Sequence, residues 1–275
     1  MSRRRILYVT DLHYQANGRV YRDEDLFVTG RLGEHFDLAL CGPTVAESLM
    51  DGFDAVVVRN SGPVIHHQLA YDSFRSAALD RRIRVFNELT GKADMLGKQY
   101  LVDLSAAGAA VIPTIDCVAG LDRLPEVEAY ITKPKLGADS IGMRRVPHDE
   151  LSTLDLDGST LVQPLIDFVH EVSFYVVGDE LIYALHAPDP LRRWELQPFE
   201  PSSSDRSFAS AFIEWNDIRY GIQRVDACRT ADGQLLLMEL EDLNPYLSLD
   251  VVDADTRDRF LDAMRRSIKA LITSN

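Results

Sequence analysis

The sequence near the C-terminus predicts a β-hairpin that carries acidic side chains. Arg224-Val225-Asp226 is followed by an Asp232-Gly233 turn and then by Glu239-Leu240-Glu241. Strand residues two apart share a face and an Asp-Gly turn reverses the chain, so the three acids of the two strands are expected in one patch. Carboxylate oxygens suit Mg²⁺, which tends to share its ligands with substrate phosphates. The hairpin therefore indicates a metal-dependent ATP site.

The composition indicates an ordinary globular protein with an acidic surface. The chain has 275 residues, of which 46% are hydrophobic and 26% charged, and its net charge is -14. This charge would repel nucleic acid and anionic membranes, so neither is an expected partner. Its 3 cysteines lack CxxC spacing, which fits a reducing compartment, and no segment approaches about 18 apolar residues. We therefore expect a cytoplasmic protein without a membrane span.

Apolar runs and turn signals predict an N-terminal α/β layer. Residues 6–10, 36–40 and 53–58 are candidate buried strands, and residues 22–35 are compatible with a helix between them. Strands that alternate with helices are typical of a parallel sheet, here over roughly residues 1–87. Further elements are expected as follows: a helix over 94–107, an apolar-striped helix from Phe260 to Leu271, and strands over 111–114, 128–133, 161–164 and 172–177.

Residues 187–217 form a long polar stretch rich in Ser, Pro and Arg. Such stretches are uncommon in compact domains unless they have a function, so a floppy surface insertion and a working loop both stay open. As a working loop, Arg192, Arg193 and Trp194 would cover a bound substrate and exclude water from a reactive intermediate.

A second motif lies in the middle of the chain, where Lys133-Pro134 ends a predicted strand and Gly137, Ser140 and Gly142 follow. Two glycines that flank a serine let backbone N–H groups approach a phosphate, and a lysine at the end of a strand adds a point charge. The motif lacks the residue order of a P-loop, and a glycine-containing turn beside a solvated lysine explains it as well.

Taken in order along the chain, these motifs resemble the ATP-grasp ligases, such as D-alanine:D-alanine ligase and the bacterial glutathione synthetases. The resemblance covers nearly the whole chain. It implies an α/β fold in three parts with the nucleotide held between two sheets. Residues 1–88 would form an N-terminal parallel α/β domain, residues 89–167 a central lid, and residues 168–275 a C-terminal domain with the metal hairpin.

The resemblance also implies a set of nucleotide-binding residues. Two lysines reach the phosphates, a glycine and serine loop closes over them, a hinge holds the adenine, and an acid binds the ribose hydroxyls. These residues are Lys98, Lys133, Gly137, Ser140, Gly142, Gln163, Leu165, Ile166 and Glu171. Lys92 is a weaker candidate for the first lysine, and Asp167 competes with Glu171 because the spacing here is one residue longer.

For catalysis and metal binding, the resemblance implies that Arg224, Lys133 and Ser140 act on the transferred phosphoryl group. Asp226, Glu239 and Glu241 would bind two Mg²⁺ ions, with Mn²⁺ as an alternative. Many of these ligases have an asparagine in place of Glu241. A glutamate keeps an oxygen ligand and adds charge, so metal binding survives the change.

The acceptor pocket cannot be carried over, because the sequence after Glu241 departs from the D-alanine ligases. Asn244 is a candidate for substrate binding or for the third metal ligand. Arg59-Asn60 ends a predicted strand, where α/β sheets usually place ligand contacts, and an arginine there could hold a substrate carboxylate. A salt bridge at the domain edge explains Arg59 equally well.

Asp11-Leu12-His13 after an apolar strand is similar to the opening of metallophosphoesterases, which activate water between two metals. That family also needs a later Gly-Asn-His block, which this chain lacks. We therefore expect Asp11 and His13 on a loop that faces the ligase cleft. His66 and His67 follow Arg59 closely and are expected to begin a helix.

The sequence thus predicts an ADP-forming ligase that joins a small, amino-acid-like carboxylate to an amine or comparable nucleophile through an acyl phosphate. Two alternatives stay open: an ATP-grasp kinase, which would leave phosphate on its product, and a non-catalytic nucleotide-binding regulator. The expected partners are small-molecule carboxylate and amine substrates. A homodimer through the N-terminal domain is common among similar ligases, and the oligomeric state stays open.

Overall fold

The computed structural model describes residues 2–16, 19–60, 64–137, 141–189 and 191–274 and has a mixed α/β fold, which confirms the predicted fold class. The strands are β1 (Arg5–Thr10), β2 (Gln15–Ala16), β3 (Arg19–Val20), β4 (Asp37–Cys41), β5 (Ala55–Asn60), β6 (Val85–Phe86), β7 (Ala129–Pro134), β8 (Arg144–Pro147), β9 (Thr160–Pro164), β10 (Phe168–Val177), β11 (Glu180–Ala187), β12 (Gln197–Phe199), β13 (Ile222–Thr230) and β14 (Leu235–Glu241). The helices are α1 (Tyr21–Leu32), α2 (Ala46–Leu49), α3 (Val64–Asp80), α4 (Gln99–Ala106), α5 (Ser203–Asn216) and α6 (Ala254–Thr273).

The N-terminal sheet is parallel, in the order β4-β1-β5-β6, as predicted. Its central strands are apolar on both faces because helices cover both. Ile6 and Tyr8 belong to the same apolar cluster as residues of α1 and α6, whereas Leu7 and Val9 pack with residues of α3. Burial on both sides explains why these strands read as continuous apolar runs.

Two antiparallel sheets follow. The central sheet has the order β8-β7-β9, and the C-terminal sheet has the order β12-β11-β10-β13-β14. The C-terminal sheet also packs on two sides: Tyr175 joins the cluster of α6, and Phe174 joins that of α5. The apolar stripe of α6 is buried as predicted, which holds the C-terminal sheet against the N-terminal one.

Two predicted elements around residue 100 are wrong in detail. The helix predicted over 94–107 begins only at Gln99, because Asp94–Leu96 forms a 3₁₀ turn and Gly97 has a positive φ of 85°. It ends before Gly108, whose φ of 74° is that of a helix C-terminus, as expected. The strand predicted over 111–114 is absent, and within the described segment 64–137 Val111 makes just an isolated bridge to Leu237.

The interpretation of residues 187–217 as one long loop is also wrong. Most of the stretch folds into β12 and α5. The Ser202 hydroxyl accepts a hydrogen bond from the Asp205 N–H at 3.2 Å, and the Asp205 carboxylate accepts one from the Ser202 N–H at 3.0 Å. This capping box marks the start of α5. The apolar face of the helix, which includes Phe212 and Ile213, is buried. Of the described residues in this stretch, 188–189, 191–196, 200–202 and 217 lie outside the helices and strands.

Among the described residues, no helix combines the length and the apolar content that a membrane crossing needs.

Candidate functional site

The hairpin of β13 and β14 forms as predicted, with Gly233 in its turn at a φ of 87°. Arg224 pairs with Glu241 across the strands, and Asp226 pairs with Glu239. Directly opposed residues of an antiparallel pair point to the same face, as do residues two apart on one strand. The register therefore brings one arginine and three acids together.

Ion pairs hold this group. The Arg224 Nη2 atom lies 2.8 Å from the Asp226 Oδ2 atom and also pairs with Glu241. Asp226 accepts a second hydrogen bond from the Ser173 hydroxyl at 2.6 Å. Burial raises the pKa of Glu241 to about 7, against the opposing effect of Arg224 and with a smaller contribution from the charge of Asp226. Burial lowers the pKa of Arg224, but Asp226 and Glu241 outweigh this and raise it well above its ordinary value.

Lys98 connects the hairpin to the central part of the chain. It lies just before α4, not inside the predicted helix, and it is buried. Its ammonium donates to the Asp94 carboxylate at 2.9 Å and pairs with Glu239. Its backbone N–H donates to the Lys135 carbonyl at 2.9 Å. Lys92, the weaker candidate, donates to the Trp215 carbonyl at 2.9 Å and is exposed there.

Lys133 ends β7 in a different environment. Among the described residues, no carboxylate lies within 4.0 Å of its ammonium, and its nearest acceptor is the Met238 carbonyl at 3.5 Å. Burial lowers its pKa to about 7, with a further contribution from the charge of Lys98. An anion beside Lys133 would therefore be strongly favoured.

Two cavities meet beside Glu239. The first, of about 160 Å³, is lined by the hairpin group, Asn244 and aromatic side chains that include Tyr14, Tyr21 and Trp194. The second, of about 250 Å³, is lined by Lys98, Lys133, Gly137, Gln163, Leu165, Ile166 and apolar side chains. The side chains that line both cavities are Glu171, Arg193, Met238 and Glu239.

The second cavity brings together most of the residues that the resemblance implied for the nucleotide. The Gln163 amide donates to the Thr114 hydroxyl at 2.8 Å, which fixes the hinge strand. Glu171 lines the cavity, whereas its competitor Asp167 is exposed and lines neither cavity. Gly142 has a positive φ of 80°, as a tight turn requires. Ser140 lies outside the described residues.

Arg193 was only a tentative candidate from the sequence, and it lies on the wall between the cavities. Its Nε atom lies 2.6 Å from the Glu171 Oε1 atom. Burial raises the pKa of Glu171, and Arg193 opposes that rise. Trp194 lines the first cavity, whereas Arg192 pairs with Asp189 and is exposed. The sequence signal for this loop was its Arg-Arg-Trp run, of which Arg193 and Trp194 line a cavity and Arg192 does not.

Arg59 takes the salt-bridge alternative. It is fully buried, and its guanidinium lies 3.3 Å from Asp25 and 3.6 Å from Glu24. It also donates to the Pro245 carbonyl at 2.9 Å. A side chain without exposure cannot bind a substrate carboxylate directly, so the predicted substrate contact is corrected. The side chain of Asn60 lies outside the described part of the chain.

Asp226, Glu239 and Glu241 have the oxygen ligands that a hard divalent cation prefers, but their side chains are not arranged around a common point. Across the described ranges, no three Asp, Glu, His or Cys side chains stand in an arrangement that would hold a metal. Arg224 and Lys98 engage Asp226, Glu239 and Glu241 instead. Four carboxylates, with Asp94 included, face these two cations, so the group carries excess negative charge. An oxygen-only donor set with excess charge is the kind that Mg²⁺ prefers.

Comparison with solved structures gives this chain the fold of the ATP-grasp ligases, which confirms the resemblance seen in the sequence. The structure of D-cycloserine synthetase DcsG matches with a TM-score of 0.72 and 22% identity, over 95% of this chain and 99% of that one. D-alanine–D-alanine ligase from Bacillus anthracis, complexed with ATP, matches with a TM-score of 0.65 and 13% identity over 98% of each chain.

The likeness extends to a curated protein and to a further solved structure. The cycloserine biosynthesis protein DcsG of Streptomyces lavendulae is 25% identical over 253 residues, which span 79% of this chain and 84% of the relative. The ATP-grasp ligase PsnB, complexed with a variant of its minimal precursor, Mg and ADP, matches with a TM-score of 0.65 and 17% identity, over 95% of this chain and 96% of that one. No family model matches the chain.

Proposed function

We propose that this protein is an ATP-dependent ligase that joins a carboxylate to an amine or comparable nucleophile through an acyl phosphate and releases ADP and phosphate. The observation that carries the proposal is the meeting of the two cavities at Glu239 and Arg193. A triphosphate in the second cavity would point its terminal phosphate toward the hairpin, where a carboxylate in the first cavity can receive it.

In this proposal the second cavity binds the nucleotide. Lys98, Lys133 and the glycine loop would contact the phosphates, Gln163 to Ile166 the adenine, and Glu171 the ribose. Lys133 supports this assignment, because a buried ammonium without a carboxylate partner is stabilised by phosphate oxygens. The ATP in the D-alanine–D-alanine ligase structure and the ADP and Mg in the PsnB structure are further support.

Catalysis would consist of positioning and charge stabilisation, since phosphoryl transfer asks little covalent chemistry of a protein. Arg224 would leave its ion pairs in part and stabilise the oxygens of the transferred group. Asp226, Glu239 and Glu241 would hold two Mg²⁺ ions, or Mn²⁺, with Asn244 as the alternative third ligand. The bound ions would neutralise charge on the phosphates. Trp194 and Arg193 would exclude water from the acyl phosphate.

The substrates we propose are small and amino-acid-like. The first cavity is compact, at about 160 Å³, and mixes tyrosines with charged groups, as a zwitterionic molecule requires. The D-cycloserine synthetase and the D-alanine–D-alanine ligase support a substrate of this size. We also propose a cytoplasmic location and a division into parts at residues 88 and 167, with a homodimer as a candidate assembly.

The test is a screen of amino acids, singly and in pairs, with ATP and Mg²⁺. We expect release of ADP and phosphate that depends on both the metal and an amino acid, together with a product whose mass equals its parts less one water. A product that retains phosphate would identify a kinase instead. Nucleotide binding without turnover for any amino acid would contradict the ligase.

A further inference from the structure

Asp11 and His67 form a hydrogen-bonded pair beside the N-terminal sheet that the proposed function has not used. The His67 Nε2 atom lies 2.9 Å from the Asp11 Oδ2 atom, and the side chains are 24% and 19% exposed. The other Asp11 oxygen accepts a hydrogen bond from the His13 backbone N–H at 2.9 Å. Asp11 is thus fixed by its own loop and orients the imidazole of His67, not that of His13.

The topology puts this pair in a crevice. The chain leaves β1 through α1 to reach β4 on one side, and it leaves β5 through α3 to reach β6 on the other. Neighbouring parallel strands whose connections diverge leave a gap at their carboxyl ends, where open α/β sheets bind ligands. Asp11 directly follows β1, and His67 lies in α3, where the backbone departs from helical geometry with φ of -131° and ψ of 23°. The pair therefore spans the gap.

The loop that carries Asp11 also lines the first cavity. The Tyr14 N–H donates to the Asp11 carbonyl at 3.3 Å, and the ring of Tyr14 lines the first cavity beside that of Tyr21, with the ring centres 5.5 Å apart. The same short loop thus carries both the partner of His67 and a wall of the acceptor pocket. The loop that holds the imidazole of His67 in place therefore leads within three residues to the wall of that pocket.

An acceptor amine needs a base. At neutral pH the amine is an ammonium without a free electron pair, and Arg224 and Lys98 are cations that cannot take its proton. The carboxylates of Asp226, Glu239 and Glu241 pair with these cations and are assigned to the metal ions in the proposed function, so the base is sought outside the hairpin. An imidazole can. When the Nε2–H of His67 faces Asp11, its Nδ1 atom carries the free electron pair.

We propose that His67 accepts the proton of the acceptor ammonium, and that Asp11 is the positioning residue that sets its tautomer. This proposal rests on the ligase function. The Nδ1 atom takes one proton, the nitrogen lone pair attacks the acyl carbon, a C–N bond forms, and the C–O bond to phosphate breaks. The phosphate leaves with that electron pair and takes the second proton of the nitrogen, and His67 returns its proton to water.

Hydroxylamine provides the test, because it is largely unprotonated near neutral pH and needs no base. Wild-type enzyme would be given ATP, Mg²⁺ and single D- and L-amino acids, with either hydroxylamine or a second amino acid as the nucleophile. Hydroxamate and amide products are measured by mass. In His67→Gln we expect hydroxamate formation within about twofold of wild type and amide formation lower by about 100-fold, the usual size of a general-base contribution.

Three variants complete the experiment. Asp11→Asn should lower amide formation about tenfold and spare the hydroxamate, because the imidazole remains but loses its orientation. Imidazole in the buffer should restore amide formation to His67→Ala. His13→Gln is the matched control, since its side chain is exposed on the same loop, and both products should be unchanged.

Equal loss of both products in His67→Gln, or full retention of the amide, would overturn the role of His67 and leave the ligase function intact. Absence of both products from wild type would overturn the ligase function itself, and the role of His67 with it.

Discussion

Arg224 and Lys133 lie on the two sides of one cleft and are held in opposite ways. Arg224 is buried among carboxylates that stabilise its charge, whereas Lys133 is partly buried with no carboxylate within 4.0 Å of its ammonium among the described residues. Loss of one partner from a buried ion pair is strongly destabilising, and a charge that is buried without a partner costs folding energy. Arg224 therefore serves both the folded structure and phosphoryl transfer, whereas Lys133 is available to bind an anion.

The largest effect should come from breaking the paired side. Arg224→Gln removes the cation proposed to stabilise the transferred phosphoryl group, so ADP release should fall about 10³-fold. The variant should also unfold at a lower temperature, because Asp226 and Glu241 lose their partner. Arg229→Gln is the matched control: it lies on the same strand and pairs with Asp205 away from both cavities. Near-normal turnover in Arg224→Gln would contradict the proposal.

The next effect concerns the acid that joins the two sides. Glu239→Gln removes a proposed metal ligand and the partner of Lys98, so the Mg²⁺ concentration for half-maximal activity should rise about 100-fold. A titration of ADP release with Mg²⁺ measures this shift. Asp232→Asn changes an acid in the turn of the same hairpin and should leave the titration unmoved. An unchanged titration in Glu239→Gln would exclude it as a ligand.

The unpaired side should respond in the reverse direction. Lys133→Met should weaken ATP binding about tenfold, as loss of one phosphate contact does, and yet raise the melting temperature, because an ammonium removed from water is replaced by an apolar chain. Calorimetry with ATP and thermal unfolding without it test both parts. Lys135→Met, whose lysine pairs with Asp116, should keep the ATP affinity. A fall in melting temperature for Lys133→Met would show that its charge is paired after all.

The smallest effect is a pH dependence of that stability gain. The folded pKa of Lys133 is lowered to about 7, so between pH 7 and its ordinary value of 10.5 the unfolded chain binds more protons than the folded one. The cost of burying the charge is full below pH 7 and disappears as the pH rises through that window. The difference in melting temperature between Lys133→Met and wild type should therefore narrow between pH 7 and 9.5, and a constant difference would refute it.

Local pattern was enough for much of the fold. The strands of the N-terminal sheet, the hairpin and α6 were predicted correctly because each carries its own signal, such as an apolar run, an Asp-Gly turn or a stripe at helical spacing. The hairpin also brought its charged residues together, since cross-strand register follows from the turn. Residues 187–217 were misjudged because polarity concealed the Ser202 to Asp205 capping box and the apolar face of α5.

Contacts between residues that are distant in the sequence could not be predicted. Whether Arg59 meets a substrate or an acid depends on Glu24 and Asp25, some 35 residues earlier, and nothing local decides it. Likewise His67 and Asp11 come together only through the order of strands in the sheet. Asp94, which pairs with Lys98, was predicted as the first residue of a helix, because the effect of Gly97 on the backbone was not recognised.

Lys98 contacts two sheets at once. Its peptide N–H is bonded to Lys135, at the end of the central sheet, while its ammonium grips Glu239 on the C-terminal sheet. If the central sheet moves away from the C-terminal sheet to release ADP, the side chain of Lys98 must either extend or lose its contact with Glu239. Release of the product then requires the ion pair between Lys98 and Glu239 to break. The same ion pair forms again when the next nucleotide is bound.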